Sequence, residues 1–351
     1  MKSETITGTE FKISEKAVKN SSTNIIPKNN VVIATRVGLG KVCFIENDTA
    51  INQDLRGIVP KNSKELSANY LFWWFKSISD VIVKEGTGAT VQGVKLPFVK
   101  SLEVPLPSLM EQKRIVKKLD EVFEKVAKAK KNAEKNLQNS KELFESYLQS
   151  IFANPGKDWE EKTLGEVYDV RDGTHDSPRY QKEGFALVTS KNLKRDLLNF
   201  DKIKYISEKD YKKINERSKV DKGDILFAMI GTIGNPVVVQ DEPSFAIKNV
   251  ALFKIPKNQD SLFLKYFLDS KSVINKMMSE AKGTTQKFVG LGYLRSFKIL
   301  VPSIKEQKTI VKKLDALSVQ TKKLEKIYEQ KLADLEELKK SVLQKAFRGE
   351  L

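Results

Sequence analysis

The chain has 351 residues, 40% apolar and 30% charged, with a formal net charge of +17, enough for two or three domains with cores of their own. A single cysteine, Cys43, and a single histidine, His175, exclude an intrachain disulfide and a typical Cys/His zinc site, and no apolar run reaches the ~18 residues of a membrane span. The positive excess suits a polyanion, of which nucleic acid is the commonest large one, or a basic surface kept for solubility.

The opening "MKSETITGTEF" lacks the apolar core of a signal peptide, so a cytoplasmic location is the default expectation. From Phe11 the chain reads "FKISEKAV". From Val31 to Asn47, "VVIATRVGLGKVCFIEN" alternates β-forming residues around a glycine turn. That run predicts a strand in which Cys43 is a small buried core residue. "AINQ" at Ala50 follows, then "SANYLFWWFKSISDVIV" from Ser67, which predicts an apolar helix. "TGATVQGVKLPFVKSLEVPLP" leads to Pro107.

At Pro107 begins "PSLMEQKRIVKKLD"; at Pro302, 195 residues later, stands "PSIKEQKTIVKKLD", identical at eleven of fourteen positions. Ser108 and Glu111, like Ser303 and Glu306, have the spacing of a capping box, in which the hydroxyl covers an N–H three residues on and the carboxylate reaches back. No Pro or Gly interrupts Ser108–Ala153 or Ser303–Arg348, so each copy predicts a helix of ~65 Å at ~1.5 Å per residue. Apolar residues recur at mixed three- and four-residue spacing, a coiled-coil-like stripe with a Lys/Glu/Asn/Gln outside. The tails "SYLQSIF" (from Ser146) and "SVLQKAF" (from Ser341) repeat at the same offset of 195. Equal lengths, with a globular segment returning the chain, predict an antiparallel pair.

The segments between also repeat. "DILFAMIGTIGNPVVVQD" (Asp224) parallels the run from Val31, "AIKN" (Ala246) parallels "AINQ", "KYISEKDY" (Lys204) parallels "FKISEKAV", and "GTTQKFVGLGYLRSFKILVP" (Gly283) parallels the run from Thr87. The period is far too long for a solenoid and reads as a duplicated unit, a mixed globule followed by a long helix. The second globule opens with a β-rich stretch, Asp158–Leu193, that has no partner before Phe11, so the first globule is expected to lack its sister's front, either as a shortened variant or, the favoured reading, by N-terminal truncation.

This set of features resembles the specificity subunits of type I restriction–modification systems. The residues that carry the resemblance are Pro105–Val116 with Pro302–Val311, "WEEKTLGEV" (Trp159–Val167), "DGTHDSPRY" (Asp172–Tyr180), "VTSKNL" (Val188–Leu193), "KGDILFAMIGTIG" (Lys222–Gly234) and "LQKAFRGEL" (Leu343–Leu351). It implies an α+β chain of two mixed α/β target-recognition globules joined by two long antiparallel coiled-coil helices. The first target-recognition domain would be 1–106, the first long helix 107–153, the second domain 154–301 and the second long helix 302–351. It implies that each domain reads half of a split double-stranded DNA sequence, with the helix pair as a ruler. Methyltransferase subunits and a restriction (translocase/nuclease) subunit would be partners, with no membrane. No catalytic or metal-binding residue is expected here; S-adenosylmethionine, ATP and Mg would be held only by partner subunits.

The residues themselves offer no competing enzyme. Gly38–Leu39–Gly40–Lys41 and Gly231–Thr232–Ile233–Gly234 fit neither phosphate-loop nor dinucleotide spacing and read as tight β-turns. DNA contact is the better use of the polar loops. Lys191–Lys222 carries eleven Lys/Arg, Lys204 among them, against six Asp/Glu, a density that suits phosphates or simply a solvated helix face. Base reading calls for Arg, Asn, Gln or short polar side chains. Candidates are Thr174, His175, Asp176, Ser177 and Arg179 in one loop, Lys191 and Asn192 in the next, and Thr284, Thr285, Gln286 and Lys287 in a third. Arg36, Lys41, Thr87, Thr90 and Gln92 hold the corresponding places in the first globule. His175 also fits a satisfied turn histidine, the commoner outcome for a lone His. The other class of reading is a structural coiled-coil tether with non-specific nucleic-acid affinity, or an inactive truncated fragment.

Overall fold

A computed structural model of the chain describes residues 3–88, 90–194, 196–284 and 286–351. Each copy of the repeated sentence opens a helix of 45 residues: α5 (Leu109–Ala153) and α11 (Ile304–Arg348), labelled in chain order. The absence of Pro and Gly lets both run unbroken. The hydroxyl half of each predicted cap is present: Ser108 Oγ accepts from Glu111 N (3.3 Å) and Ser303 Oγ from Glu306 N (3.4 Å). The carboxylates do not reach back as expected, because each has a better donor. Glu111 takes a two-pronged ion pair from Arg114 (2.7 and 2.8 Å), which holds its carboxyl below the usual carboxylate range. Glu306 accepts from the Trp159 indole at 2.9 Å.

The chain folds as two compact units, Met1–Asn136 with Ile327–Leu351, and Leu137–Lys326. Each therefore takes the head of one long helix and the tail of the other. In the first unit Arg114 bonds the Leu351 carbonyl oxygen (2.7 Å) and Lys130 pairs with Glu336 (2.8 Å), so the two segments run antiparallel. In the second, Leu148 of α5 shares a core with Val311 and Leu314 of α11.

The first unit holds β1 (Thr5–Ile6), α1 (Glu15–Lys19), β2 (Asn24–Ile26), β3 (Asn30–Ala34), β4 (Val42–Ile45), β5 (Thr49–Ile51) and β6 (Leu55–Ile58), then α2 (Ala68–Ser77), α3 (Ser79–Lys84) and α4 (Leu96–Ser101). Its main sheet runs β1-β4-β3-β6, antiparallel except for β1 with β4; β2 pairs with β5. The second holds β7 (Glu160–Thr163), α6 (Leu164–Val167), β8 (Asp169–Asp172), β9 (Phe185–Val188), β10 (Leu193–Lys194), β11 (Leu197–Leu198), β12 (Lys204–Ile206), α7 (Glu208–Ser218), β13 (Ile225–Ala228), β14 (Gly234–Val238), β15 (Phe245–Ile247) and β16 (Val250–Lys254). It closes with α8 (Ser261–Asp269), α9 (Lys271–Glu280), α10 (Leu291–Ser296) and β17 (Lys298–Val301). Its main sheet is β14-β13-β16-β8, beside the three strands β12-β9-β15. The β3–β4 and β13–β14 hairpins match, and their predicted turns are present: Gly38, Gly40 and Gly231 take φ of 77°, 81° and 78°.

The units differ where the sequences differ. β16 has β8 on its outer side, whereas β6 stands at the edge of its sheet. Ile206 is fully buried in β12 beside β9; Ile13, its counterpart in the shared "ISEK", is 53% exposed.

The repeated sentence fixes each globule to its helices. Helix α2 buries six successive residues, Tyr70 to Phe75, and α8 buries Phe263 to Leu268. A helix buried all round must be enclosed on every side. Its sheet covers one side and the long helices another. Gln112, fully buried, accepts from Ser67 N (2.9 Å) and donates to the carbonyls of Glu65 (2.7 Å) and Pro107 (2.9 Å). Gln307, also fully buried, accepts from Asp260 N (2.9 Å) and donates to Pro302 O (2.9 Å) and Gln259 Oε1 (2.8 Å). Eight residues on, Asp120 accepts from the Trp73 indole (2.9 Å) and Asp315 from the Tyr266 hydroxyl (2.5 Å). Burial, with Asp315 beside it, pushes the Tyr266 phenol upward. The repeated tails close the other side: Phe347 meets Tyr70 at a tilt with ring centres 5.2 Å apart, and Phe152 meets Phe263 and Phe267 edge to face at 5.6 and 5.4 Å.

Cys43 lies in β4 with no exposed surface, as the strand reading expects, and burial pushes its thiol up to about 11. The thiolate is the reactive form. Iodoacetamide at pH 8 should therefore leave the native chain unmodified over an hour and modify Cys43 stoichiometrically in guanidinium, read by intact mass.

Candidate nucleic-acid interface

In the second unit the antiparallel register brings loops together at one end of the main sheet. β8 ends at Asp172 opposite Ala251, and β13 ends at Ala228 opposite Val250. The loop after β8, the turn after β13 and the Lys248–Asn249 corner before β16 therefore leave from the same edge. The loop at 282–288 joins them, since Phe288 bridges to Ile230 and Gly231 N donates to Lys287 O at 2.9 Å. Candidates from separate stretches of sequence, Thr174–Arg179 and Thr284–Lys287, thus meet on one rim. Thr285 lies outside the described residues. Thr284, Gln286, His175, Asp176, Ser177 and Arg179 are exposed, and Thr174 is half-buried.

The loop Gly173–Ser177 is tightly held. Gly173 leaves no room for a side chain: a Cβ there would lie 2.3 Å from Ile247 O. Asp172 is buried and its carboxylate is bound on both oxygens, by Arg217 and by His175 Nε2 (2.9 Å). His175 Nδ1 faces Asn249 Oδ1 at 2.8 Å. A neutral ring can donate to only one of these oxygens; an imidazolium donates to both. One ring nitrogen thus faces Asp172 of its own loop and the other faces the Asn249 corner before β16.

The other candidates are placed variously. Asn192 is buried: its Oδ1 accepts from Thr189 N and Oγ1 (both 2.9 Å) and its Nδ2 donates to Asn199 O (3.0 Å), so its amide shapes the loop. Lys191 next to it is exposed. Lys204 lies over the Tyr180 ring at 4.1 Å, linking β12 to the end of the "DGTHDSPRY" loop. Lys287 is exposed and donates one bond, to Met278 O at 3.1 Å. In the first unit Arg36 follows β3 and pairs with Asp54 at 3.4 Å, half-exposed. Thr87, Thr90 and Gln92 lie on an exposed loop that Val94 N ties to Thr35 O (2.9 Å), bringing it beside Arg36. Lys41 is exposed across the same turn. The sequence reading missed Lys248 and Asn249, which anchor the rim; their signal was the "AIKN"/"AINQ" pair.

Among the described residues no cluster of three or more His, Cys, Asp or Glu could hold a metal ion, and no helix is long and apolar enough to cross a membrane.

A family model for the type I restriction modification DNA specificity domain matches residues 1–137 and 156–336. The MjaIX specificity subunit of Methanocaldococcus jannaschii is 26% identical over 84% of this chain and 72% of its own length. The MjaVIII specificity subunit of the same organism is 26% identical over 97% and 83%, and the EcoBI specificity subunit of Escherichia coli is 26% identical over 78% and 62%. Among solved structures, a chain from a type I R-M system studied for complex assembly and conformational transition superposes with a TM-score of 0.76, at 22% identity over 93% of this chain and 84% of that one. The HsdS subunit of Thermoanaerobacter tengcongensis gives 0.64, at 22% identity over 93% and 82%. The structural likeness carries the fold, two 45-residue helices with mixed helix-and-strand globules. The family model covers both globules and most of both helices: the chain belongs to the type I restriction–modification DNA specificity family.

Proposed function

We propose that the chain is the DNA-reading subunit of a type I restriction–modification complex, with each globule reading one half of a bipartite duplex target. The observation that carries this reading is the convergence, in each unit, of separate polar loops on one end of the main sheet. Short polar side chains and Arg179 are presented there on a braced scaffold, as base-edge recognition requires. The excess of Lys and Arg supplies phosphate contacts that set register without reading sequence. The long helices are the mounting for methyltransferase subunits, and a restriction subunit joins that assembly. Val319 is 69% exposed and Leu143 51% exposed on the helices of the second unit, apolar surface of the kind a partner covers. Chemistry resides on those partners, with S-adenosylmethionine, ATP and Mg, and the complex works in the cytoplasm.

The test is sequencing of methylated bases in a methylation-free host expressing this chain with its methyltransferase subunits. The expected result is a two-part motif with an unread gap, whose methylation depends on this chain. One continuous motif, or methylation without sequence preference, would leave a tethering protein as the better reading.

A further inference from the structure

Lys248 lies at a strand end in a basic chain, where a lysine would ordinarily be taken for a phosphate contact. Its ammonium is not available for one. Nζ donates to His175 O (3.0 Å), Asp176 O (2.7 Å) and Ser177 Oγ (2.9 Å), three bonds for three hydrogens. Its own backbone N–H bonds Val188 O (2.9 Å), at the end of β9. Asn249 continues the clamp. It adopts the left-handed region (φ 53°), which an asparagine tolerates better than most residues. From there its N–H reaches Thr174 O (3.1 Å) and its Oδ1 reaches His175 Nδ1 (2.8 Å), while its carbonyl accepts from Ser190 Oγ (3.2 Å).

Two residues thus hold two loops, 173–177 and 189–192, and the Lys248 ammonium has no hydrogen left to offer a ligand. The first unit carries Asn52 and Gln53 in the matching "AINQ". Asn52 Oδ1 there accepts from Asp54 N, two residues away (3.1 Å), and no lysine stands at that place in the first unit, so among the described residues the ammonium clamp is a feature of the second unit.

We infer that Lys248, braced by the Asn249 corner, is a positioning residue that sets base discrimination by the second globule without itself touching the bases. This rests on the DNA-reading function proposed above. A loop that reads base edges must be held to fractions of an ångström for its hydrogen bonds to discriminate. Releasing it should therefore blur selection more than it weakens phosphate-based affinity.

The experiment uses the full chain in complex with its methyltransferase subunits, sequencing methylated bases for unaltered, Lys248→Met, Lys248→Arg and Asn249→Gly chains, with thermal unfolding of each. Lys248→Met should relax base preference at least tenfold at positions of one half-site and leave the other unchanged. Lys248→Arg, which can still donate to carbonyls, should restore most of that preference. Asn249→Gly keeps the backbone conformation and loses the carboxamide, and should relax the same half-site a few-fold even if Lys248→Met does not fold. Unchanged preference in the folded variants, or equal change in both halves, overturns the inference. An unaltered complex without a two-part motif overturns the DNA-reading function instead.

Discussion

Replacing Gln307 by leucine should destabilise the second unit by roughly 3–5 kcal/mol, because buried groups that lose their partner are charged the desolvation they had avoided, about 1–3 kcal/mol each. Gln307 is fully buried and serves Asp260 N, Pro302 O and Gln259 Oε1. Leucine fills a similar volume and serves none. Asp260 also caps α8 through Leu262 N and Phe263 N (2.9 and 3.1 Å), so the disturbance starts at the most buried helix of the globule. Gln307→Glu keeps an acceptor for Asp260 N, loses the two donated bonds and buries a charge, so it too should destabilise. Peptide-resolved hydrogen exchange on the full chain reads the effect directly: α8 should lose about two to three and a half decades of protection at ~1.4 kcal/mol per decade. Gln112→Leu should do the same to α2. Unaltered protection of α8 in a folded Gln307→Leu chain would show that the clasp is dispensable.

The second large effect is expected at Gly173. An added methyl would meet Ile247 O at 2.3 Å, Ile247 C at 2.4 Å and Lys248 N at 2.7 Å, all main-chain atoms of the corner beside it. Backbone cannot swing aside as a side-chain tip can, so the loop must lift from β15 and its bonds to Ile247, Lys248 and Asn249 must go. Gly173→Ala should cost about 2–4 kcal/mol and, on the proposed function, abolish selection of one half-site while leaving the other readable. Gly292 in α10 is the control: nothing lies within 4 Å of its would-be Cβ, and an Ala in a helix is neutral to stabilising by up to ~1 kcal/mol. Thermal unfolding with binding to half-site-altered duplexes separates the two variants. A Gly173→Ala complex that still discriminated both halves would mean that this loop is not the reader.

What the sequence disclosed was governed by local rules. Two 45-residue spans without Pro or Gly had to be helices, a Ser three residues before a Glu had to start them, and glycine pairs between β-rich runs had to turn. Cys43 was legible because its neighbours alternate as a strand. What stayed hidden depends on long-range contact. Gln112 and Gln307 sit among Glu and Lys, where a glutamine looks like solvent-facing polarity; only globule groups 45 to 48 residues away, most of them main chain, make them interior. Asn192 looked like a base reader by residue type, and its burial turns it into a brace. Lys248 looked like one more positive charge. The carboxylate arm of each predicted cap failed because another donor outbid the backbone: Arg114, one turn on in the same helix, for Glu111, and the distant Trp159 for Glu306.

The clasp at the head of each long helix grips mostly peptide groups. Gln112 holds one N–H and two carbonyls, and two of the three partners of Gln307 are also main-chain atoms. A fastening of that kind is indifferent to most side-chain replacements in the module it secures. The rim residues can drift under selection for new targets while the handle beneath them stays the same, so innovation at one end of a globule need not loosen its seat at the other.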